Sequence, residues 1–297
     1  MVERAVPAAS LATGVALVVA VLWGASPLAT KLAVIEIDPV AVAALRTVLS
    51  ALVALPLVIA GRLRLPRATA ARSYLAVSSL GGFVVFPLLF SVGTGRTSVG
   101  HAALILGTLP VLTGLIAALL ERRIPGGQWW AGCALALAGT AALVGARVGL
   151  GDGGGATATG DLLVLAGAVA AAAGYVTGAR AARELGSWTV TLWGIVIGSL
   201  VLLPLLPFVL SPTALGTAGP RAWGGVLYLA IITSIVGYAA WYWALGRGGI
   251  GRTGLTQFLQ PLVGLVLAMV ILGETLTWPM IVAAMAILGG VAWARRA

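Results

Sequence analysis

RVGLGDGGGATATGD, from Arg147 to Asp161, is the one long hydrophilic connection in a chain that otherwise runs from one apolar stretch to the next. It divides the 297 residues into two nearly equal parts. On either side of it the apolar runs are about 20 residues long and do not alternate with polar residues. A bilayer core is roughly 30 Å thick, so a spanning helix needs about 20 apolar residues. Without water to satisfy the backbone, only helices and closed barrels can cross it. The lack of alternation excludes the barrel. Spans are expected at about 10–34, 39–60, 73–93, 98–120 and 128–146, and then at about 160–179, 187–210, 222–245, 252–272 and 277–294. Five spans lie before the connection and five after it. Because five is odd, the second half enters the membrane from the opposite side. The expected fold class is an all-α polytopic membrane protein of ten transmembrane helices, built as two inverted five-helix repeats. The expected boundaries are residues 1–147, an external linker at 148–160, and residues 161–297.

Composition supports the membrane class. Hydrophobic residues make up 60% of the chain and charged residues 9%, against roughly 45–50% and about 25% in soluble domains. The net charge of +10 resides on basic residues placed singly or in pairs between apolar spans. No continuous basic face exists for a nucleic acid. The single cysteine, Cys133, excludes an intrachain disulfide, and one histidine cannot build a metal cluster. No cofactor or metal is expected. Arg4, the apolar run Leu11–Trp23 and Gly24-Ala25-Ser26 have the form of a signal peptide. The apolar pattern resumes beyond Pro27, however, and an uncleaved first helix is the reading adopted. With the N-terminus cytoplasmic, thirteen lysines and arginines fall on the inside, four fall outside, and Arg46 remains within a span. That asymmetry follows the positive-inside rule and puts both termini in the cytoplasm of a bacterial-type inner membrane.

The linker contains Gly149, Gly151 and Gly154 in a G-x-G-x-x-G pattern, but no strand precedes it and no βαβ unit surrounds it, so it does not read as a dinucleotide loop. The two halves share a pattern. Gly100, Pro110, Gly114, Glu121 and Gly139 in spans four and five are matched by Gly251, Pro261, Gly264, Glu274 and Gly289 in spans nine and ten, each about 150 residues later. Prolines remove a backbone hydrogen bond and can kink a helix. Pro110 and Pro261 are therefore the candidate hinges.

These residues resemble a known family. Trp23-Gly24 with Lys31, Asp38-Pro39 with Arg46, LPVLTGLIAALLERR (Leu109–Arg123) and QPLVGLVLAMVILGETL (Gln260–Leu276) are similar to the successive motifs of the drug/metabolite transporter superfamily, EamA type. The similarity is greatest to the YddG-type exporters of aromatic and neutral amino acids. Leu120 departs from the pattern, which has Gly before the acid. The resemblance implies a central cavity lined by spans one, three, four, six, eight and nine, with five and ten peripheral. The candidate cavity residues are Trp23, Phe83, Phe86, Phe90, His101, Tyr175, Tyr238, Trp241, Tyr242 and Gln257, with Thr256 and Gln260 beside them. Trp129, Trp130, Trp188, Trp223, Trp278 and Trp293 flank spans and read as interface anchors. His101 is the one group that titrates near neutral pH without perturbation. Arg46, about two turns into the bilayer, needs a partner. Glu36, Asp38 or a carbonyl freed at a proline break can supply one, and a structural role is expected for it. Lys31 can snorkel to the interface.

The function expected is secondary transport: export of small amphipathic metabolites, neutral and aromatic amino acids first, by alternating access. The alternatives are a lipid or polyprenyl-carrier flippase, or a multidrug exporter, of the same fold. No phosphate-binding G-x-x-x-x-G-K-[ST] motif is present. A membrane enzyme lacks the clustered nucleophile and base, and a passive channel has no need of an inverted repeat. Every acid (Glu3, Glu36, Asp38, Glu121, Asp152, Asp161, Glu184, Glu274) falls at a span end or in a loop. This disfavours cationic cargo and carboxylate-borne proton coupling. The expected partners are a small-molecule substrate and the lipid bilayer, without nucleic acid, and a monomer suffices.

Overall fold

Among the described residues, ten apolar helical segments follow one another. They are α1 (Ser10–Val34), α2 (Pro39–Ala60), α3 (Thr69–Gly95), α4 (Val99–Glu121), α5 (Gly127–Val144), α6 (Ala158–Leu185), α7 (Ser187–Val209), α8 (Pro220–Gly248), α9 (Thr256–Leu272) and α10 (Trp278–Ala294). The first eight are long and apolar enough to cross a membrane; α9 and α10 are shorter. This computed structural model describes residues 8–122, 125–150 and 157–294. Every regular element among them is helical. Arg4, Arg123, Arg295, Arg296 and most of the glycine-rich connection lie outside the described residues. Helix reaches Leu150 on one side of that connection and begins at Ala158 on the other, so 148–150 and 158–160 are helical rather than linker.

Local chemistry sets the starts. Asp38 Oδ1 accepts from Val40 N at 2.9 Å and Ala41 N at 3.0 Å, with Pro39 in the first position of α2, where its missing N–H costs nothing. Ser98 caps α4 by accepting from His101 N, and Thr157 caps α6 by accepting from Gly160 N.

Several helices are interrupted, and the interruptions recur between the halves. α3 widens to i→i+5 winding over Gly81–Val85, and α8 does so over Tyr228–Gly237. α4 breaks at Gly107-Thr108 before restarting as Leu109–Glu121. α9 passes through a tight 3-10 turn, Leu255–Phe258, before Leu259–Leu272. Pro110 and Pro261 each sit in the first turn of the restarted helix. The interruption is therefore carried by the residues just before each proline rather than by a bond lost in mid-helix. α1 breaks at Ala25, with Pro27 in the first turn of Ser26–Val34. Its counterpart, α6, runs unbroken.

The packing has the same two-fold relation. α2 packs on α7, α4 on α9, and α5 on α10. α3 packs on α6 as α1 does on α8, and α4 on α6 as α1 does on α9. A shift of five helices maps each of these pairs onto itself or onto another of them, as two related halves require. α5 and α10 meet mainly each other, along a seam of small residues. A Cβ added at Gly132 would lie 2.5 Å from Gly290 O, so the backbones approach as closely as glycine allows. The main core is built mostly from the other helices, with Leu143 of α5 and Met280, Ala283 and Ile287 of α10 at its edge.

Candidate functional site

Three helix breaks meet inside the bundle. A Cβ on Gly107 of α4 would lie 3.2 Å from Pro261 Cγ of α9. One on Gly24 of α1 would lie 3.0 Å from Gln260 O. Beside this junction is a cavity of about 20 Å³, room for roughly one water. Trp23 and Ser26 face it from α1, Arg46 from α2 and Phe86 from α3. Leu106 and Leu109 flank the break in α4, and Tyr175, Thr233, Tyr238 and Gln260 close it from the second half.

Trp23 organises the aromatic wall. Its ring stacks on Tyr175 at 5.3 Å and 11° and tilts against Tyr238 at 5.2 Å. Its Nε1–H donates to Thr233 O at 3.1 Å. The indole fits only because residue 237 is glycine: a Cβ there would overlap Trp23 Nε1. The Tyr238 hydroxyl, on the residue that follows the widened stretch of α8, donates to Gly82 O in the widened turn of α3 at 3.0 Å.

Of the residues nominated from sequence, Trp23, Phe86, Tyr175 and Tyr238 line the cavity. Others stand behind them. Phe83 packs on Tyr238 at 4.4 Å, and Trp241 on Trp23 at 5.5 Å. Tyr242 bonds Ser78 at 2.8 Å, and Phe90 stacks on Phe86 at 5.1 Å. Gln257 is buried on the tight turn of α9, with no partner for either amide atom. His101 is not on the cavity. Its Nδ1 lies 2.8 Å from Asp161 Oδ2, and the Thr97 hydroxyl donates to Asp161 Oδ1. Asp161 stands in the first turn of α6, at a helix end as its position suggested, yet it is 0% exposed and His101 2%. Its carboxyl group is thus held inside the protein rather than in a loop.

Arg46 requires a second correction. Neither acid near it in sequence is its partner, because both serve backbone amides: Asp38 caps α2, and Glu36 accepts from Gly219 N at 2.6 Å. The guanidinium instead reaches across to α8, where its Nη2 donates to Thr233 Oγ1 at 3.0 Å and Ser234 Oγ at 3.3 Å. Arg46, Thr233 and Ser26 were absent from the sequence-derived cavity list. The pointer to Ser26 was Pro27, since a proline in the first turn marks the start of a half-helix.

One end of the bundle is tied by polar groups. Lys31 Nζ donates to Thr94 O at 3.1 Å and Thr97 O at 2.9 Å. Glu274 accepts from Val99 N at 2.8 Å and Gly100 N at 2.9 Å, neutralising the start of α4. Among the described residues no three His, Cys, Asp or Glu are grouped to hold a metal.

Comparison with known proteins agrees with this architecture. The EamA-like transporter family matches residues 11–145 and, a second time, residues 158–296. The chain belongs to the EamA-like transporter family. It is 32% identical to "Uncharacterized transporter YdeK" of Bacillus subtilis over 90% of this chain and 91% of that protein. It is 30% identical to a "Probable amino-acid metabolite efflux pump" of Salmonella typhimurium, over 93% and 92% respectively. A solved structure titled only "Crystal structure of protein" superposes with TM-score 0.66 at 24% identity, covering 96% of this chain and 95% of that one, and so shares the fold.

In this EamA-like transporter the two copies of the acid motif behave differently, and Leu120 explains why. In the second copy the helix ends at Leu272. Gly273 turns left-handed at φ +66°, which frees Glu274 to fold back onto α4. In the first copy no glycine precedes the acid, and the helix continues through Glu121. The left-handed residue is then Arg122, at φ +51°. Glu121 stays on the helix, 37% exposed and 3.7 Å from Arg180.

Proposed function

We propose that this EamA-like transporter exports amphipathic metabolites of amino-acid size by alternating access between its two halves. The observation that carries the reading is the cavity itself, which sits where the broken helices of both halves meet. It combines Trp23, Phe86, Tyr175 and Tyr238 with Arg46, Ser26, Thr233 and Gln260. Breaks of this kind at a repeat interface are where transporters of inverted-repeat design bind solute. At about 20 Å³ the cavity is too small for such a solute, so binding requires the halves to move apart. The "amino-acid metabolite efflux pump" relative supports the size and class of cargo.

In this reading all ten helices cross the membrane, both termini are cytoplasmic, and the tied end with Lys31 and Glu274 is external. Residues 1–147 and 161–297 are the two moving repeats. Pro110 and Pro261 start the half-helices that swing. The absence of any acid from the cavity lining disfavours cationic drugs and carboxylate-based proton coupling.

The test is counterflow. Proteoliposomes preloaded with neutral amino acids should accumulate labelled substrate with no imposed proton gradient. Uptake of a quaternary ammonium drug, with none for any amino acid or related metabolite, would overturn the reading. A reporter fused at Ala297 should report the cytoplasm and one inserted at Gly153 the exterior; the same side for both refutes the topology.

A further inference from the structure

Arg46 is a buried cation whose hydrogen bonding is incomplete. It is 2% exposed, and a guanidinium offers five N–H donors. Only Nη2 is engaged, by Thr233 and Ser234. Nε and Nη1 have no partner, which leaves one N–H on the first and two on the second. Its two hydroxyl partners are neutral, and each already donates its own hydrogen to Leu229 O, at 2.6 Å and 2.8 Å. They accept from the guanidinium and hold it in place without cancelling its charge. The ion pairs among the described residues, His101–Asp161 and Arg180–Glu121, do not include it.

An unpaired charge in a low-dielectric interior is costly, and such costs recur where a ligand supplies the missing partner. Arg46 lines the cavity. So does Gln260, 3% exposed, whose Nε2 is a second donor without an acceptor. Both are donors, and both face aromatic rings rather than an acid. The complement of this arrangement is an anion carried on an apolar body. Planar, bidentate-capable recognition of carboxylates is what the guanidinium does best.

We propose that Arg46, assisted by Gln260, is the receptor for a carboxylate on the transported solute, and that an α-ammonium group is not required. This rests on the cavity being the transport site. The chemical class that fits best is a monocarboxylate with an aromatic or branched apolar body. Amino acids qualify through their carboxylate alone. No acid lines the cavity to pair the ammonium of a zwitterion, so deaminated or N-acylated analogues bind at least as well as the parent amino acid. Amines without a carboxylate bind poorly, because they bring a second positive charge beside Arg46.

The experiment is a matched panel on the purified full chain in nanodiscs, read by thermal shift and by quenching of tryptophan fluorescence. The panel is 3-phenylpropionate, N-acetyl-L-phenylalanine, L-phenylalanine and phenethylamine. The two anions should raise the melting temperature at least as much as phenylalanine, and the amine should not. Arg46→Gln should weaken carboxylate binding on the order of 100-fold, with Arg46→Lys intermediate and Gln260→Leu weaker in effect.

A purely structural arginine would destabilise the protein when replaced. The unpaired cation instead predicts that ligand-free Arg46→Gln melts no lower than wild type, since Thr233 and Ser234 keep their bonds to Leu229. Phenethylamine binding as well as 3-phenylpropionate, or undiminished carboxylate binding in Arg46→Gln, overturns the proposal. So does an absence of stabilisation by any carboxylate. Counterflow separates the two readings. Its absence for every solute defeats the transport-site assignment, whereas normal counterflow of carboxylates by Arg46→Gln defeats the arginine assignment alone.

Discussion

Replacing Asp161 with alanine should destabilise the protein more than any exposed acid can. The carboxylate is fully buried, lies 2.8 Å from His101 Nδ1 and accepts from the Thr97 hydroxyl. It therefore joins the start of α6 to the start of α4, one in each half. It also stands in the first turn of α6, where a negative charge is favourable by about 0.3–1 kcal/mol. Two lost hydrogen bonds cost about 1–3 kcal/mol together. Removing one partner of a buried ion pair costs about 3–5 kcal/mol. Between these bounds, a loss of about 2–4 kcal/mol is expected. At about 2 °C per kcal/mol for a chain of this length, that is a fall of roughly 4–8 °C. The assay is detergent-phase thermal unfolding at one scan rate, since membrane-protein unfolding is rarely reversible. Asp161→Asn, which keeps an acceptor oxygen, should lose less. The decisive comparison is the double variant with His101→Ala. Groups in contact couple, so its loss should fall short of the sum of the single losses by at least about 1 kcal/mol. Strict additivity, or an Asp161→Ala shift below about 1 °C, would refute the pairing as a tie between the halves.

Three further outcomes follow from the geometry. Glu274→Ala strips the acceptor from two amides at the start of α4 and should cost about 2–3 kcal/mol, whereas Glu121→Ala should cost under about 1 kcal/mol because that pair is long and partly exposed; equal melting shifts would contradict the account of Leu120. Gly237→Ala forces the Trp23 indole from its seat, with an overpacking cost of about 1–3 kcal/mol and slower counterflow, and unchanged stability and transport would count against the aromatic wall. Pro110→Ala, in a first turn, should alter stability by no more than about 1 kcal/mol. Gly107→Ala, whose Cβ would lie 3.0 Å from Ile287 Cγ2 and 3.2 Å from Pro261 Cγ, should slow counterflow more. The reverse order would return the hinge to the proline.

The sequence by itself determined the helices, their grouping about Arg147–Asp161 and the kinship of the halves. The reason is that lipid imposes a local rule: each crossing segment must satisfy its own backbone and be apolar along its length. The same rule hides the site. Lipid and protein interior are both apolar, so a helix facing one on each side carries no amphipathic stripe to show which residues turn inward. Trp23 and Tyr238 were legible as large aromatic groups on central spans, but Phe83, Trp241 and Tyr242 looked the same and stand a layer back. Only tertiary structure decided that Arg46 passes over Asp38 and Glu36 for Thr233, 187 residues away. Only it paired His101 with Asp161, 60 residues on. Those partners are chosen by which helices lie side by side, a property of the two-fold packing of the halves that no single span encodes.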